Sequence, residues 1–571
     1  MASLQYPSFL SARPFFKFNN LKAIKLVACK ATKDDDDFNP KNPKTHHHQA
    51  VPDLCRRNLF IGLGGLCGSL HRNDPFAFAK PILPPDLIEC VPPEFLSSAT
   101  RTNYCLPPSP YIKDFEFPSV YKLKIRPAAH LVDEGYREKY EEAVRRMKAL
   151  PPDDPRNFIQ QANVHCAYCD GAFRQVGFPD LDIQIHGSWL FFPFHRWFLY
   201  FHERILSSLI NDPSFALPFW NWDAPAGMMI PEIYTDPHSS LYDSFRSTNH
   251  QPPTPVDFLF NGCERKKSWD DQVDVNLKTI YKQMVSSSKL PSLFFGTAYG
   301  AGDSDPDGGG TFELVPHNTM HDWTGDNRQP HGEDMGIFNT AARDPIFYSH
   351  HANVDRMWEI WKTLPGGKRR DITDPDWLES GFLFYDENKD LVRVKIKDCL
   401  DTRKLGYMYQ DVEIPWKEAK PSPSKSKFMK KLGNKFDGAK VQFPLVLPLS
   451  LSTVVEREKK KKKEMTEEVL VLEGIEFSSR DSPVKFDVYV HREGEFSGPG
   501  GPTTTELAGS FVSVPRHHKK LTMKTNMRFG ITELLRDLGA DDDRSVVVTL
   551  VPQTGDGRVT IERIRIEYLS E

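Results

Sequence analysis

Three absences narrow the field before any motif is read. Nine cysteines in 571 residues cannot frame the fold with disulfides, the device of small secreted domains that lack an apolar core. A net charge of −4 offers no excess of positive charge to hold a phosphate backbone, so no nucleic-acid partner is expected. The apolar run LFIGLGGLCGSL, Leu59 to Leu70, is 12 residues long; a membrane-spanning helix takes about 20, so no stable membrane insertion is expected. What the chain does have is size. Its 39% hydrophobic content suffices for at least two domains with cores of their own, and 46 prolines and 35 glycines make the connections long and irregular.

Acidic residues are missing from Met1 to Lys33, where six Lys or Arg stand among scattered serines, the composition of an organelle transit peptide. A second address follows: Arg56-Arg57, the short apolar run, then AFA ending at Ala79. These describe transfer across a second membrane; a hydrophobic anchor or buried helix is the alternative reading. The mature protein is expected to begin near Lys80, inside a plastid sub-compartment.

Residues 80–416 are rich in aromatics and carry helical patterns such as REKYEEAVRRMKAL and HRWFLYFHERILSSLIND. Residues 417–440, KEAKPSPSKSKFMKKLGNKFDGAK, are basic and broken by Pro and Ser, which predicts an exposed, cleavable linker. From 441 to 571 the texture alternates, in EEVLVLEGIEF, VKFDVYVHR, SVVVTLVPQ and RVTIERIRIEYL, and predicts a small antiparallel sandwich. Lys459 to Lys463, flanked by Glu, reads as a solvated loop, with a protease-sensitive tip as the alternative.

The stretch HGSWLFFPFHRWFLYFHE, His186 to Glu203, sets three histidines among aromatic rings. Such company usually means a hydrogen-bonded core histidine, but other histidines group in the same way. HCAYC supplies His165 and Cys169 ahead of His186 and His195; PHNTMHDW supplies His317 and His321 ahead of His350, His351 and Asp355 in DPIFYSHHANVDRMW. His317 and His321, at i and i+4, share one face of a helix and can converge on one metal. No Glu lies between them as in HExxH, which argues against a zinc peptidase. No Glu-x-x-His pattern recurs, which disfavours a carboxylate-bridged di-iron bundle. Six neutral nitrogens without a ligating carboxylate suit copper.

The first group resembles the copper-A signature of tyrosinases and catechol oxidases position by position: His186, Phe191, Phe192, Pro193, Phe194, His195, Arg196, then Leu199 and Glu203. The second resembles the copper-B signature, Asp344-Pro345-x-Phe347-Tyr348, then His351 and Asp355. With LPFWNWD from Leu217, LGYMYQDV around Tyr407 to Tyr409 and KFDVYV from Lys485, the chain is similar to plant polyphenol oxidases over essentially its whole length. The resemblance implies a mainly α catalytic domain, a four-helix bundle with long loops holding two copper ions, followed by a small all-β sandwich. That sandwich, residues 441–571, would shield the site until the linker is cut. Residues 1–79 would be a bipartite chloroplast transit peptide with a twin-Arg thylakoid signal, delivering the protein to the thylakoid lumen.

The same resemblance puts His165, His186 and His195 on copper A and His317, His321 and His351 on copper B. His350, next to His351, cannot point at the same metal, since neighbouring helical residues diverge by about 100°. Cys169 is implied to form a thioether with His186, and Phe338 to gate entry over copper A. Glu313, read as one helical turn before His317, and Asn318, directly after it, are implied to position a water for monophenol hydroxylation. Asp355, one turn after His351, is expected to accept a hydrogen bond from an imidazole. The implied reaction is oxidation of o-diphenols to o-quinones with O2 as co-substrate reduced to water, and small phenolics as the partners.

Departures from the family pattern bear on details. Plant members usually carry two adjacent cysteines where this chain has Tyr104-Cys105, so Cys90, Cys105 and Cys166 compete for one bridge; Cys90–Cys105 keeps a family pairing and leaves Cys166 facing Tyr104. Cys263 and Cys399 are expected free. Leu314 stands where many relatives have Asn. Asp322, after His321, puts an anion at the pocket mouth and predicts amines such as tyramine or dopamine over phenolic acids. A pure catechol oxidase, a dedicated hydroxylase of one phenolic and a reversible O2 carrier of the haemocyanin type remain as alternatives. Two further motifs are set aside. DSDPDGGGTFE, Asp303 to Glu313, spaces its acids like a calcium loop but ends one residue early and contains Pro306; His46 to His48 lies in the segment to be removed.

Overall fold

A computed structural model describes residues 80–91, 104–119, 122–264, 267–330, 332–424, 443–447, 450–458, 466–478, 483–493, 501–516, 522–554 and 559–570. The targeting segment, His46 to His48, linker residues 425–440 and the lysine run Lys459 to Lys463 lie outside them.

The main helices of the first domain are α1 (Glu134–Lys148), α2 (Phe158–Cys169), α3 (Phe191–Leu209), α4 (Trp269–Tyr281), α5 (Asn318–Thr324) and α6 (Ile346–Thr363). Their starts are written locally. Asp133 accepts from Tyr136 N at 2.8 Å, Asn157 from Ile159 N at 2.8 Å and Ser268 from Asp271 N at 3.1 Å, each satisfying an amide that the first turn leaves open. α3 is buried around almost its whole circumference, so it is the axis of the domain rather than a surface helix. Rings fill the space beside it: Phe192 stacks on Phe294 at 4.6 Å and Phe294 on Trp361 at 4.3 Å. Small two- and three-stranded sheets brace the rim, and Cys90–Cys105 closes a disulfide in the N-terminal arm. Tyr104 is buried under the Arg343 guanidinium at 5.7 Å, and Cys166 is a buried free thiol.

The second domain is the antiparallel sandwich. Its strands are β1 (Leu451–Glu456), β2 (Glu467–Ser478), β3 (Lys485–Arg492), β4 (Leu507–Val512), β5 (Thr522–Gly530), β6 (Ser545–Thr554) and β7 (Arg563–Leu569). One sheet runs β4-β3-β6-β1; in the other, β2 lies between β5 and β7. Inward Leu470, Leu472, Val488, Val490, Val548 and Leu550 form its core.

The two domains share interiors. Val512 and Val514, at and after the end of β4, sit in the apolar core of the helical domain, whereas Leu314 of the helical domain sits in the core of the sandwich. Polar contacts ring this exchange: Gly530 N to Ser287 O at 3.0 Å, Lys282 Nζ to Thr504 O at 2.6 Å and Lys289 to Glu533 at 3.0 Å. The acidic loop Asp303–Glu313 belongs to this seam. Asn526 donates from its backbone to Asp307 O at 2.9 Å and from its side chain to Asp307 Oδ1 at 2.6 Å. Gly308, at φ +147°, lies so close that a Cβ there would meet Asn526 O at 2.4 Å. The linker is not free along its whole length either: Thr505 N donates to Ser422 O at 3.1 Å and Ser424 Oγ to Glu506 at 2.8 Å.

Candidate metal centre

Buried histidines converge from four helices and one loop. His165 comes from α2, His195 from the first turn of α3, His186 from the loop before it, His321 from α5, and His351 from α6; His317 immediately precedes α5. Potential ligand atoms of His165, His186 and His195 lie within 4.8 Å of one another, as do those of His317, His321, His350 and His351. The groups face each other, with the rings of His195 and His351 stacked at 4.1 Å and 9°. Among the described residues no other set of three or more potential ligands gathers; Asp303 of the calcium-like loop accepts from Gly300 N.

Backbone carbonyls orient the rings. Nδ1 of His165 donates to Phe338 O at 3.1 Å, that of His195 to Phe191 O at 2.8 Å, and that of His321 to Met335 O at 2.9 Å. His317 Nδ1 donates to Asn318 Oδ1 at 3.0 Å. A proton fixed on Nδ1 leaves the Nε2 lone pair for a metal. The Nε2 atoms of His165 and His195 are buried without a protein partner, and those of His317 and His321 lie 3.1 Å apart. Burial holds these histidines below the ordinary range, with neighbouring imidazoles adding to it at His165, His195 and His317; His195 lies at about 3 and His321 at about 4. Six buried imidazoles, four of them with nitrogens that have no protein partner, fit two copper ions.

His350 needs separate treatment, because it gathers with the second group. Trp222 Nε1 donates to its Nδ1 at 3.2 Å, so the neutral ring carries its proton on Nε2 and offers that atom as a donor, not a ligand. His202 stacks on Tyr348 at 3.6 Å and joins neither group. Gln184, which the sequence reading passed over, ties the copper-A side together: it donates to Cys169 O at 2.6 Å and accepts from His186 N at 3.1 Å. Cys169 itself is a buried thiol.

Two expectations need correction. Asp355 orients no imidazole. It accepts from Arg196 at 2.5 Å, Tyr407 at 2.7 Å and Tyr409 at 2.5 Å, with Arg126 at 3.5 Å, while neither nitrogen of His351 has a hydrogen bond. Two buried guanidinium groups claim the carboxylate and hold it below its ordinary range against the cost of burial. Nor does Glu313 precede His317 by a regular helical turn. Val315 is extended at φ −148° and ψ 126°, so the chain kinks ahead of Pro316, as a residue before proline favours. Glu313 still reaches the histidines: Oε1 accepts from Gly187 N at 2.7 Å, Oε2 is buried without a partner, and burial pushes the carboxyl up to about 8.

Phe338 stacks on His186 at 4.1 Å and 19°. Leu314 and Asn318 line the same cavity, and Asn318 Nδ2 donates to Val512 O of the sandwich at 2.8 Å. Asp322 is half-buried beside Lys485; burial pushes its carboxyl up to about 7 against the pull of that ammonium. With Val512, Val514 and Arg516 in the mouth, about 60 Å³ remains, against the roughly 300–1,000 Å³ of a small-molecule pocket. A larger concavity of about 660 Å³, walled by Pro81, Pro84 and Val176, contains no histidine.

A helical domain with paired histidine triads and a β domain lodged in its mouth defines a latent oxidoreductase of the tyrosinase class. Residues 155–364 match the common central domain of tyrosinase, 371–422 the polyphenol oxidase middle domain, and 443–568 the chloroplastic polyphenol oxidase C-terminal domain. The chain is 57% identical to the chloroplastic polyphenol oxidase of Malus domestica, covering 95% of this chain and 92% of that one. It is 50% identical to aureusidin synthase of Antirrhinum majus, covering 92% and 99%. The structure of latent apple tyrosinase superposes with a TM-score of 0.76 at 58% identity, covering 81% of this chain and all of that one. The chain belongs to the plant polyphenol oxidase family, copper-dependent and chloroplastic, with a C-terminal domain that shields the active site.

Proposed function

We propose that this chain is a latent catechol oxidase of the thylakoid lumen that also hydroxylates monophenols and prefers phenolic amines. The observation that supports it is the pair of facing triads, with Glu313 and Asn318 at their edge. His165, His186 and His195 would hold one copper, and His317, His321 and His351 the other; bound copper supplies the redox chemistry with O2. The protein's own part is positional. Nδ1 tethers keep imidazoles aimed inward, aromatic walls exclude water, and Phe338 forms one side of the entry. Once Val512 has left and water returns to the mouth, Glu313 would ionise, and its Oε2 would accept a phenolic proton through a water that Asn318 helps to hold. A thioether between Cys169 and His186 would lock that ring.

Residues 1–79 would direct import, with the twin arginines Arg56 and Arg57 selecting the lumen, and cutting within 417–440 would let the shield go. Asp322, returned to water, would ionise and favour ammonium-bearing substrates over carboxylates. The relative named aureusidin synthase keeps a second reading alive, a dedicated oxidase of one specialised phenolic. Oxygen uptake by copper-loaded protein trimmed at both ends decides. Uptake with tyramine and dopamine, and slower uptake with caffeic acid, is expected. Uptake with dopamine alone would leave a catechol oxidase without hydroxylation, and faster turnover of the acid would refute the amine preference.

A further inference from the structure

The segment after β4 enters the copper-site mouth along a defined track. Asn318 Nδ2 donates to Val512 O at 2.8 Å, and Phe338 N donates to Pro515 O at 3.3 Å. Held this way, the guanidinium of Arg516 lies over the Phe338 ring, 5.5 Å from its centroid. The same ring stacks on His186 at 4.1 Å, and Arg516 lines one cavity with His186, Glu313 and Asn318. An aromatic face attracts a cation through its quadrupole, more strongly where water is excluded.

The surroundings match this charge. Burial weakens the guanidinium's hold on its proton, and the groups opposing that include Asp170, Glu313 and Asp305, all from the helical domain. Of these, Asp170 acts most strongly on the guanidinium. Lys485, a second cation of the shield, faces Asp322. When the sandwich departs, both cations go with it, and Asp170, Asp305 and Asp322 lose that counter-charge.

We propose that the Phe338 ring, together with Asp170 and Asp305, forms a cation subsite. Arg516 occupies it in the full-length chain, and the ammonium or guanidinium group of a phenolic substrate occupies it in the working enzyme. The substrate half of this statement rests on the phenol-oxidase reading. The subsite half does not.

The test uses the full-length, copper-free chain carrying Arg516→Ala, which vacates the position, and two probes of equal shape, 1-butylguanidinium and 1-butylurea. Calorimetry is expected to show butylguanidinium binding about tenfold tighter than butylurea, no measurable binding of either to the unsubstituted chain, and loss of the preference when Asp305→Asn is added. If Arg516→Ala does not fold, the linker-cut chain with its shield displaced by mild denaturant gives the same comparison. Equal affinity for the two probes, or equal binding of butylguanidinium by the unsubstituted chain, overturns the subsite. Oxygen uptake on catechol is read separately on the copper-loaded, trimmed chain, and a chain active there that binds both probes alike loses the subsite alone. One that distinguishes the probes but oxidises no catechol loses the substrate half and keeps the site.

Discussion

Asp355 shows how a single residue's role depends on its unseen partners. Its position one turn after His351 is readable in the sequence, and so is the habit of metal-bound histidines to lean on carboxylates. Arg196, Tyr407 and Tyr409, which consume its oxygens, come from places up to 159 residues away and leave no trace in local spacing. Asp355→Asn is therefore expected to cost about 3–5 kcal/mol of stability, as removal of one partner from a buried ion network does, while the folded fraction still takes up two copper ions. Denaturant melts and metal analysis check this; a 10–100-fold loss of copper affinity without loss of stability would restore the imidazole role. That the histidines would gather was legible because they stand in two groups with matching company, His186, His195 and His351 within the signatures themselves. Gln184 was not, since a polar residue two before a ligand has no pattern of its own.

The helices α1 and α3 were equally legible, from the helical patterns of REKYEEAVRRMKAL and HRWFLYFHERILSSLIND. The segment before α5 was not. Glu313 stands four residues before His317 and was read as one helical turn from it, but the local effect of Pro316 on Val315 prevailed. At the seam, the end of α4 carries Lys282, whose ammonium meets Thr504 O while Glu506 and Asp487 of the sandwich and Lys278 of its own helix act on it. Burial pushes it down to about 7, whereas a lysine in water titrates near 10.4. Between those values the docked state binds fewer protons than the separated one, so docking strengthens as pH rises through the window and is weakest below pH 7. Sedimentation of the linker-cut chain should show more free shield at pH 8.5 than at pH 10, above the range in which the carboxyls of Glu313 and Asp322, raised to about 8 and about 7, titrate with the opposite sign. In Lys282→Met that dependence should disappear.

For the whole molecule, the order of domains was readable from texture alone, because strands and helices use different periods. Their interpenetration was not, because nothing in Val512, Val514 or Leu314 marks a residue that will be buried in the other domain. The linker's first residues lie against Thr505 and Glu506, and the seam adds contacts far from any cut. A protease cleaving within 425–440 should thus leave two pieces that co-elute and remain nearly inactive on dopamine, with activity appearing only as mild denaturant or dilution parts them. Full activity at the moment of cleavage would contradict this.

The traded side chains carry a further cost. When the pieces part, Val512 and Val514 leave the apolar interior they helped to fill, and Leu314 loses its cover in the other. Each half emerges with a raw surface that the intact chain never shows. Switching the enzyme on and starting its decay are then one event, and the working form is short-lived beside the stored one, a fuse lit by its own release.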